Sequence, residues 1–266
     1  MSPLIQNIVL KKSKAEKIVM LTAYDYAMAA ILDRSGVDII LVGDSLANVV
    51  LGLATTKEVG MDAMFSHARA VRAAVKNALV VVDMPFVSVQ PDSSRALFHA
   101  KRFTEEAGCD AVKVEWFDKC PDVVRSLLAA GVPVMGHVGL TPQTAEKLGG
   151  VKVQGKAPDE AQKIIEQAKA LADAGCFSVV IECVPEDLGR KITQELKVPT
   201  IGIGAGKHCD GQVLVLYDML GLTSGKVPKF VKKYAEVSTL MTTAVQAYAR
   251  EVRQGQFPDE SQSFHS

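Results

Sequence analysis

Leu79-Val-Val-Val-Asp-Met-Pro85 and Ala111-Val-Lys-Val-Glu-Trp116 bound the stretch that decides the fold. Each is a short apolar run, rich in β-branched residues, that closes on an acid. Between them, Arg95–Ala107 reads as a helix, and Gly108 follows as its stop. Glycine there takes the left-handed turn that sends the chain back toward the next strand. Strands apolar almost throughout are buried on both sides, as in a parallel sheet covered by helices.

The same unit recurs in both directions. Further strands are expected at Lys17–Tyr24, Asp38–Asp44, Pro133–Gly139, Ser178–Val184, Pro199–Ala205 and Gln212–Tyr217. Helices are expected at Asp25–Arg34, Met61–Lys76, Ala157–Ala174, Pro185–Leu196 and Lys229–Arg253. Ser35-Gly36, Ala130-Gly131 and Ala174-Gly175 repeat the helix-stop signal. Eight strands with intervening helices predict an α/β fold of the (β/α)8 TIM-barrel type. An open doubly wound sheet is the alternative, and it needs fewer strands and a topological switch. One barrel domain is expected over residues 1–253, with an N-terminal helical segment, followed by a polar tail at 254–266.

The chain has 266 residues, which suits one barrel domain. Lys+Arg and Asp+Glu are both 30, for a formal net charge of +0. That balance lacks the basic excess of a nucleic-acid binder. Lys11, Lys12, Lys14 and Lys17 read as the solvated face of a helix. No apolar run is long enough to span a bilayer, and the N-terminus lacks a signal-peptide block. Five cysteines, at 109, 120, 176, 183 and 209, show no C-x-x-C spacing. They point to reduced thiols and a cytoplasmic location.

In a barrel of this kind chemistry belongs where strands give way to the following loops. Three consecutive strands reach an acid there: Asp44, Asp83 and Glu115. Neighbouring strands lie about 4.8 Å apart, and like charges that close call for a cation among them. An all-oxygen set favours Mg²⁺ or a similar hard ion. A single strand-end Asp is often just a turn former, but three on consecutive strands favour a metal.

Lys113 shares a strand face with Glu115. It is expected to pair with an acid, to hold substrate charge, or both. Glu182 is a charged group in an apolar run, and burial would raise its pKa toward the range of a general base; a salt bridge to Lys113 is the alternative. His137 is read as a hydrogen-bond partner of substrate or carboxylate, or as a satisfied core histidine. Ser45 either binds a substrate carboxylate or caps a turn. Ile201-Gly-Ile-Gly-Ala-Gly206 lacks dinucleotide spacing and is read as a place of close backbone approach. His67, His99, His208 and His265 are assigned no role.

These residues sit inside longer motifs: Thr22-Ala-Tyr-Asp-Tyr26, Leu41-Val-Gly-Asp-Ser-Leu46, Asp83-Met-Pro-Phe86, Val112-Lys-Val-Glu115, Gly136-His-Val-Gly-Leu-Thr-Pro-Gln143, Gly150-Val-Lys-Val-Gln-Gly155, Ile181-Glu-Cys-Val-Pro185 and Asp210-Gly-Gln212. With them the chain resembles the ketopantoate hydroxymethyltransferase family over nearly its whole length. The resemblance implies transfer of a one-carbon unit from 5,10-methylenetetrahydrofolate to 3-methyl-2-oxobutanoate, giving ketopantoate for pantothenate synthesis. It implies Mg²⁺ on Asp44, Asp83 and Glu115, substrate contacts at Ser45, Asp83 and Lys113, and Glu182 as base. It also implies a homodecamer whose partners are a small 2-oxo acid and a folate, without nucleic acid or membrane. A carbon–carbon lyase of the isocitrate-lyase or phosphoenolpyruvate-mutase kind is the rival that shares an acid cluster. A non-catalytic barrel is the second rival.

Overall fold

The computed structural model describes residues 2–89, 93–146, 148–223, 225 and 227–265. Contacts divide the chain into two compact units, Met1–Val215 and Leu216–Ser266. The barrel expected to run to residue 253 is therefore complete by Val215, and the remaining residues form a unit of their own.

The first unit is a closed barrel. Its strands follow chain order: β1 (Ile18–Thr22), β2 (Ile39–Val42), β3 (Leu79–Asp83), β4 (Ala111–Glu115), β5 (Val134–Gly139), β6 (Ser178–Glu182), β7 (Thr200–Ile203) and β8 (Gly211–Leu214). β8 returns to β1, with Gly211 beside Ile18 and Leu214 beside Leu21. Closure rules out the open doubly wound sheet. Each expected strand is present to within a few residues.

The helices of this unit are α1 (Pro3–Ser13), α2 (Tyr26–Arg34), α3 (Leu46–Val49), α4 (Met61–Ala74), α5 (Phe86–Val89), α6 (Ser93–Lys101), α7 (Cys120–Ala129), α8 (Pro158–Ala174) and α9 (Glu186–Glu195). Their boundaries have local causes. Ser2 Oγ accepts the Ile5 N–H at the start of α1, with Pro3 at its first position. Asp25 Oδ1 accepts the Met28 N–H at 2.8 Å and caps α2. The four glycines read as helix stops, Gly36, Gly108, Gly131 and Gly175, all hold positive φ (77°, 74°, 82° and 105°). α6 runs on through Arg102–Glu106 as a π turn, and the Ala107 N–H donates to the Arg102 carbonyl at 3.0 Å. α3, α5 and α7 were not expected as segments. The first two are single turns too short to show helical periodicity.

The barrel interior is one apolar cluster. Met20, Ile39, Leu41, Leu79, Val81, Ala111, Met135, Val180, Ile201 and Val213 fill it, and Ile5 and Ile8 of α1 join it. α1 thus plugs the barrel with its one apolar face, while Lys11 and Lys12, expected on a solvated face, are half-buried ion-pair partners of Asp38 and Asp210.

The second unit contains α10 (Leu216–Met219) and α11 (Val237–Arg253). A helix was expected from Lys229, but it begins at Val237. The N–H groups of Tyr234 and Val237 donate instead to the carbonyls of Met219 and Leu220, at 2.8 and 2.9 Å. A backbone donor used across the unit is not free for a helical bond.

Ile5 is fully buried at 0% exposure. Ile5→Ala should destabilise the protein by about 2–5 kcal/mol, through lost burial and the cavity left behind. Urea unfolding is the measurement, and an unchanged midpoint would show that α1 does not hold the barrel closed.

Candidate active site

Along β3, β4, β5 and β6 the inward residues change from apolar to charged. The series read Leu79, Val81, Asp83; Ala111, Lys113, Glu115; Met135, His137; and Val180, Glu182. Because side chains alternate along a strand, one strand face supplies both the plugged core and the polar rim. Register then fixes neighbours: Asp83 beside Lys113, Glu115 beside His137, and Glu182 beside Gly139.

Asp44 arrives differently. Ile39 and Leu41 face inward on β2, so the next inward position is Gly43, which has no side chain. A Cβ there would meet Ser45 Oγ at 2.8 Å. Asp44 follows in the turn, and its N–H donates to Asp83 Oδ2 at 3.0 Å. The side chain is buried all the same, at 5% exposure.

The polar rim is densely connected. Lys113 Nζ lies 2.9 Å from Asp83 Oδ1 and 3.0 Å from His137 Nδ1. His137 Nε2 lies 3.1 Å from Glu182 Oε2, close but without hydrogen-bond alignment. Nδ1 that accepts from an ammonium leaves the ring proton on Nε2, facing Glu182. Glu182 therefore meets His137, not the Lys113 salt bridge that the sequence left open. Ser45 Oγ pairs with Tyr24 Oη at 2.8 Å, which orients the hydroxyl from the β1 side.

Two residues of this network carry no role from the sequence. Gln143, in the 3₁₀ turn Pro142–Thr144, donates from Nε2 to Asp44 Oδ2 at 2.8 Å and to the Met84 carbonyl at 3.0 Å. Its backbone N–H donates to Glu115 Oε2 at 3.0 Å. Tyr24 is the second. Both lie in motifs quoted above, but a lone amide or phenol has no charge pattern to mark it.

Backbone geometry sets the base of Glu182. Gly139 holds φ 92°, and a Cβ there would come within 2.3 Å of the Glu182 carbonyl oxygen. That carbonyl accepts the Leu140 N–H at 2.9 Å. Cys183, directly after Glu182, holds φ 47°, which is unusual outside glycine. The turn at Gly139, which glycine takes without strain, and the strained Cys183 fix where β6 ends and so where Glu182 sits.

Burial dominates the electrostatics. It lifts the Asp44 carboxyl to about 7, with the neighbouring charge of Asp83 adding to the effect. Burial likewise raises Glu182 to about 7, against the pull of Lys113. Glu115 is pushed well above the usual carboxylate range by burial and by Asp44. For Lys113 burial works downward, but Asp83, Glu115 and Asp44 together outweigh it and hold the ammonium charged. Burial, with Lys113 alongside, holds His137 far below its usual range, so the ring is neutral.

Among the described residues, no three His, Cys, Asp or Glu side chains are gathered as a ready-made ion cage. The reason is visible in the bonds just given. Asp44, Asp83 and Glu115 each turn an oxygen onto a protein donor: Gln143 Nε2, the Asp44 N–H and the Gln143 N–H.

A closed parallel barrel whose C-terminal rim gathers buried acids, a lysine and a neutral histidine defines a (β/α)8-barrel enzyme. The chain belongs to the ketopantoate hydroxymethyltransferase family, whose model matches residues 4–260, and it is a transferase. A 3-methyl-2-oxobutanoate hydroxymethyltransferase of Syntrophomonas wolfei is 52% identical over 254 residues, covering 96% of this chain and 92% of the relative. One of Syntrophus aciditrophicus is 53% identical, covering 95% and 93%. In three dimensions the chain is similar to phosphonopyruvate hydrolase in complex with oxalate and Mg++, at TM-score 0.63 and 13% identity, covering 100% of this chain and 92% of that one. It is also similar to phosphoenolpyruvate phosphomutase of Streptomyces platensis subsp. rosaceus, at TM-score 0.64 and 14% identity, covering 98% and 92%. At such identity these two share the fold alone.

Asp44 keeps its proton to about pH 7 when folded but ionises near 3.9 when unfolded. Its raised carboxyl therefore favours the fold below the unfolded value, and that contribution is lost as pH rises toward 7. In chelator-treated protein, Asp44→Asn should gain stability relative to wild type as pH rises from about 5 to about 8. Melting temperatures across that range test it, and a constant gap would contradict the burial argument.

Proposed function

We propose that this enzyme transfers a hydroxymethyl unit from 5,10-methylenetetrahydrofolate to 3-methyl-2-oxobutanoate, giving ketopantoate, the first step of pantothenate biosynthesis. The relatives that are about half identical carry that activity in their names. The observation that carries the reading is the pairing of a buried Glu182, lifted to about 7, with a rim that holds one ammonium among several carboxyls.

The donor set suits Mg²⁺. Asp44, Asp83 and Glu115 supply oxygen only, and the carboxyls of Asp44 and Glu115, raised first by burial and then by neighbouring acids, are ones that a cation would relieve. Gln143 takes one oxygen each of Asp44 and Glu115 and leaves the other oxygen of each toward the cluster. Mg²⁺ held there supplies Lewis-acid polarisation of the 2-oxo group.

The chain's own residues do the rest. Ser45, oriented by Tyr24, and Lys113 bind the carboxylate end of the oxo acid. Glu182 takes the proton from C3, a task for which a pKa near operating pH is well matched. Neutral His137 packs beside that carboxylate, with Nε2 3.1 Å from Glu182 Oε2. Lys113 stabilises the charge that develops on the substrate's keto oxygen. The new carbon–carbon bond forms between C3 and the one-carbon unit. C3 is then quaternary, so the folate amine has no β-proton route out. The carbon is therefore delivered as formaldehyde, released from the folate by water, and the resulting alkoxide takes its proton from the Glu182 acid.

Five free cysteines, four of them buried, suit a reducing cytoplasm. No helix of the described residues is long and apolar enough to cross a membrane. The family resemblance extends this reading to a homodecamer.

Glu182→Gln should abolish exchange of the C3 proton with D₂O, while Mg²⁺-dependent binding of the oxo acid persists. Proton NMR of 3-methyl-2-oxobutanoate reads the exchange, and exchange that survives the substitution would remove Glu182 as the base. In wild type the exchange rate should rise with pH and level off above about 7, since the base must be ionised. A profile flat across that region would point to another base. EDTA should stop exchange, and Mg²⁺ should restore it.

A further inference from the structure

We infer that Gln143 sets which divalent cation the acid cluster accepts, by holding one oxygen of Asp44 and one of Glu115 so that each carboxylate is biased toward binding through its other oxygen. The inference rests on the reading of Asp44, Asp83 and Glu115 as a metal site.

Gln143 is 3% exposed. Both hydrogens of its side-chain nitrogen are used, one on Asp44 Oδ2 at 2.8 Å and one on the Met84 carbonyl at 3.0 Å. The Met84 carbonyl can only accept, and it fixes the orientation of the amide. Flipped, the amide oxygen would face that carbonyl and its bond would be lost. The backbone N–H of the same residue holds Glu115 Oε2 at 3.0 Å. One residue thus ties two acids from adjacent regions of the rim, with its side chain on one and its main chain on the other. Breaking these bonds in a buried site leaves donors unpaired, which is costly.

The consequence concerns coordination. With one oxygen tied, Asp44 and Glu115 can each act as single-oxygen ligands. Mg²⁺ accepts few protein oxygens in near-octahedral geometry and keeps several waters. Ca²⁺ takes about six to eight oxygens and favours two-oxygen carboxylate ligands. A clip that disfavours binding through both oxygens therefore works against Ca²⁺ and leaves Mg²⁺ served.

The test is calorimetric titration of the full-length protein with Mg²⁺ and, separately, with Ca²⁺. Trp116, the chain's single tryptophan, adjoins Glu115 and gives a second readout by fluorescence. Wild type should prefer Mg²⁺. Gln143→Met keeps the side-chain length without the donors. It should weaken Mg²⁺ by roughly tenfold, the scale of a lost outer-shell hydrogen bond, while Ca²⁺ holds or tightens. Equal weakening of both ions, an unchanged ratio, or a wild type that holds Ca²⁺ as tightly as Mg²⁺ would overturn the inference alone. A wild type that binds neither ion overturns the metal site on which it rests. If Gln143→Met does not fold, Gln143→Asn carries the same test. Its shorter stem releases Asp44 and, as in Gln143→Met, the backbone bond to Glu115 remains, so the same shift of the ratio is expected and the wild-type ratio would overturn the idea.

Discussion

Lys113 is the cation that holds this structure's chemistry together. It lies against Asp83 and His137 and acts on Glu115, Asp44 and Glu182. One ammonium cannot balance that many buried carboxyls, and the cluster answers by taking up protons on Asp44 and Glu182 near pH 7. Charges this deep persist only when paired or hydrogen-bonded. Gln143, the Asp44 N–H and His137 are the polar groups the fold brings to the task.

The barrel makes such a cluster tolerable by separating labour along each strand. Leu79 and Val81 pack into the core that α1 plugs, and two residues further on Asp83 carries charge. β4 repeats the scheme from Ala111 to Lys113 and Glu115. Stability comes from one end and chemistry from the other, which is how this fold hosts many reactions. The phosphonopyruvate hydrolase and phosphoenolpyruvate phosphomutase structures share the barrel at 13% and 14% identity, so the scaffold says little about the reaction. Family membership narrows it, and it separates this transferase from the lyase and mutase reading that the acid cluster alone allowed.

The strands were legible because burial on both faces writes a near-continuous apolar run, and the helix stops were legible because a left-handed turn calls for glycine. α3 and α5 were not, being single turns without periodicity. The late start of α11 was set by bonds from Tyr234 and Val237 to Met219 and Leu220, partners some fifteen residues away that no local window contains.

The site divides in the same way. The sequence by itself determined that Asp83, Lys113 and Glu115 share the inner face of neighbouring strands, because alternation is a local property of the extended chain. It also marked Glu182 as a charge out of place in an apolar run. The tertiary structure alone decided that Asp44, which falls off that alternation, reaches the cluster through a turn at Gly43, that Glu182 faces His137 and not Lys113, and that Gln143 ties Asp44 to Glu115. These depend on turn geometry and on donors brought together across β2, β4 and β5, and hydrogen-bond partners distant in sequence leave no periodic trace in it.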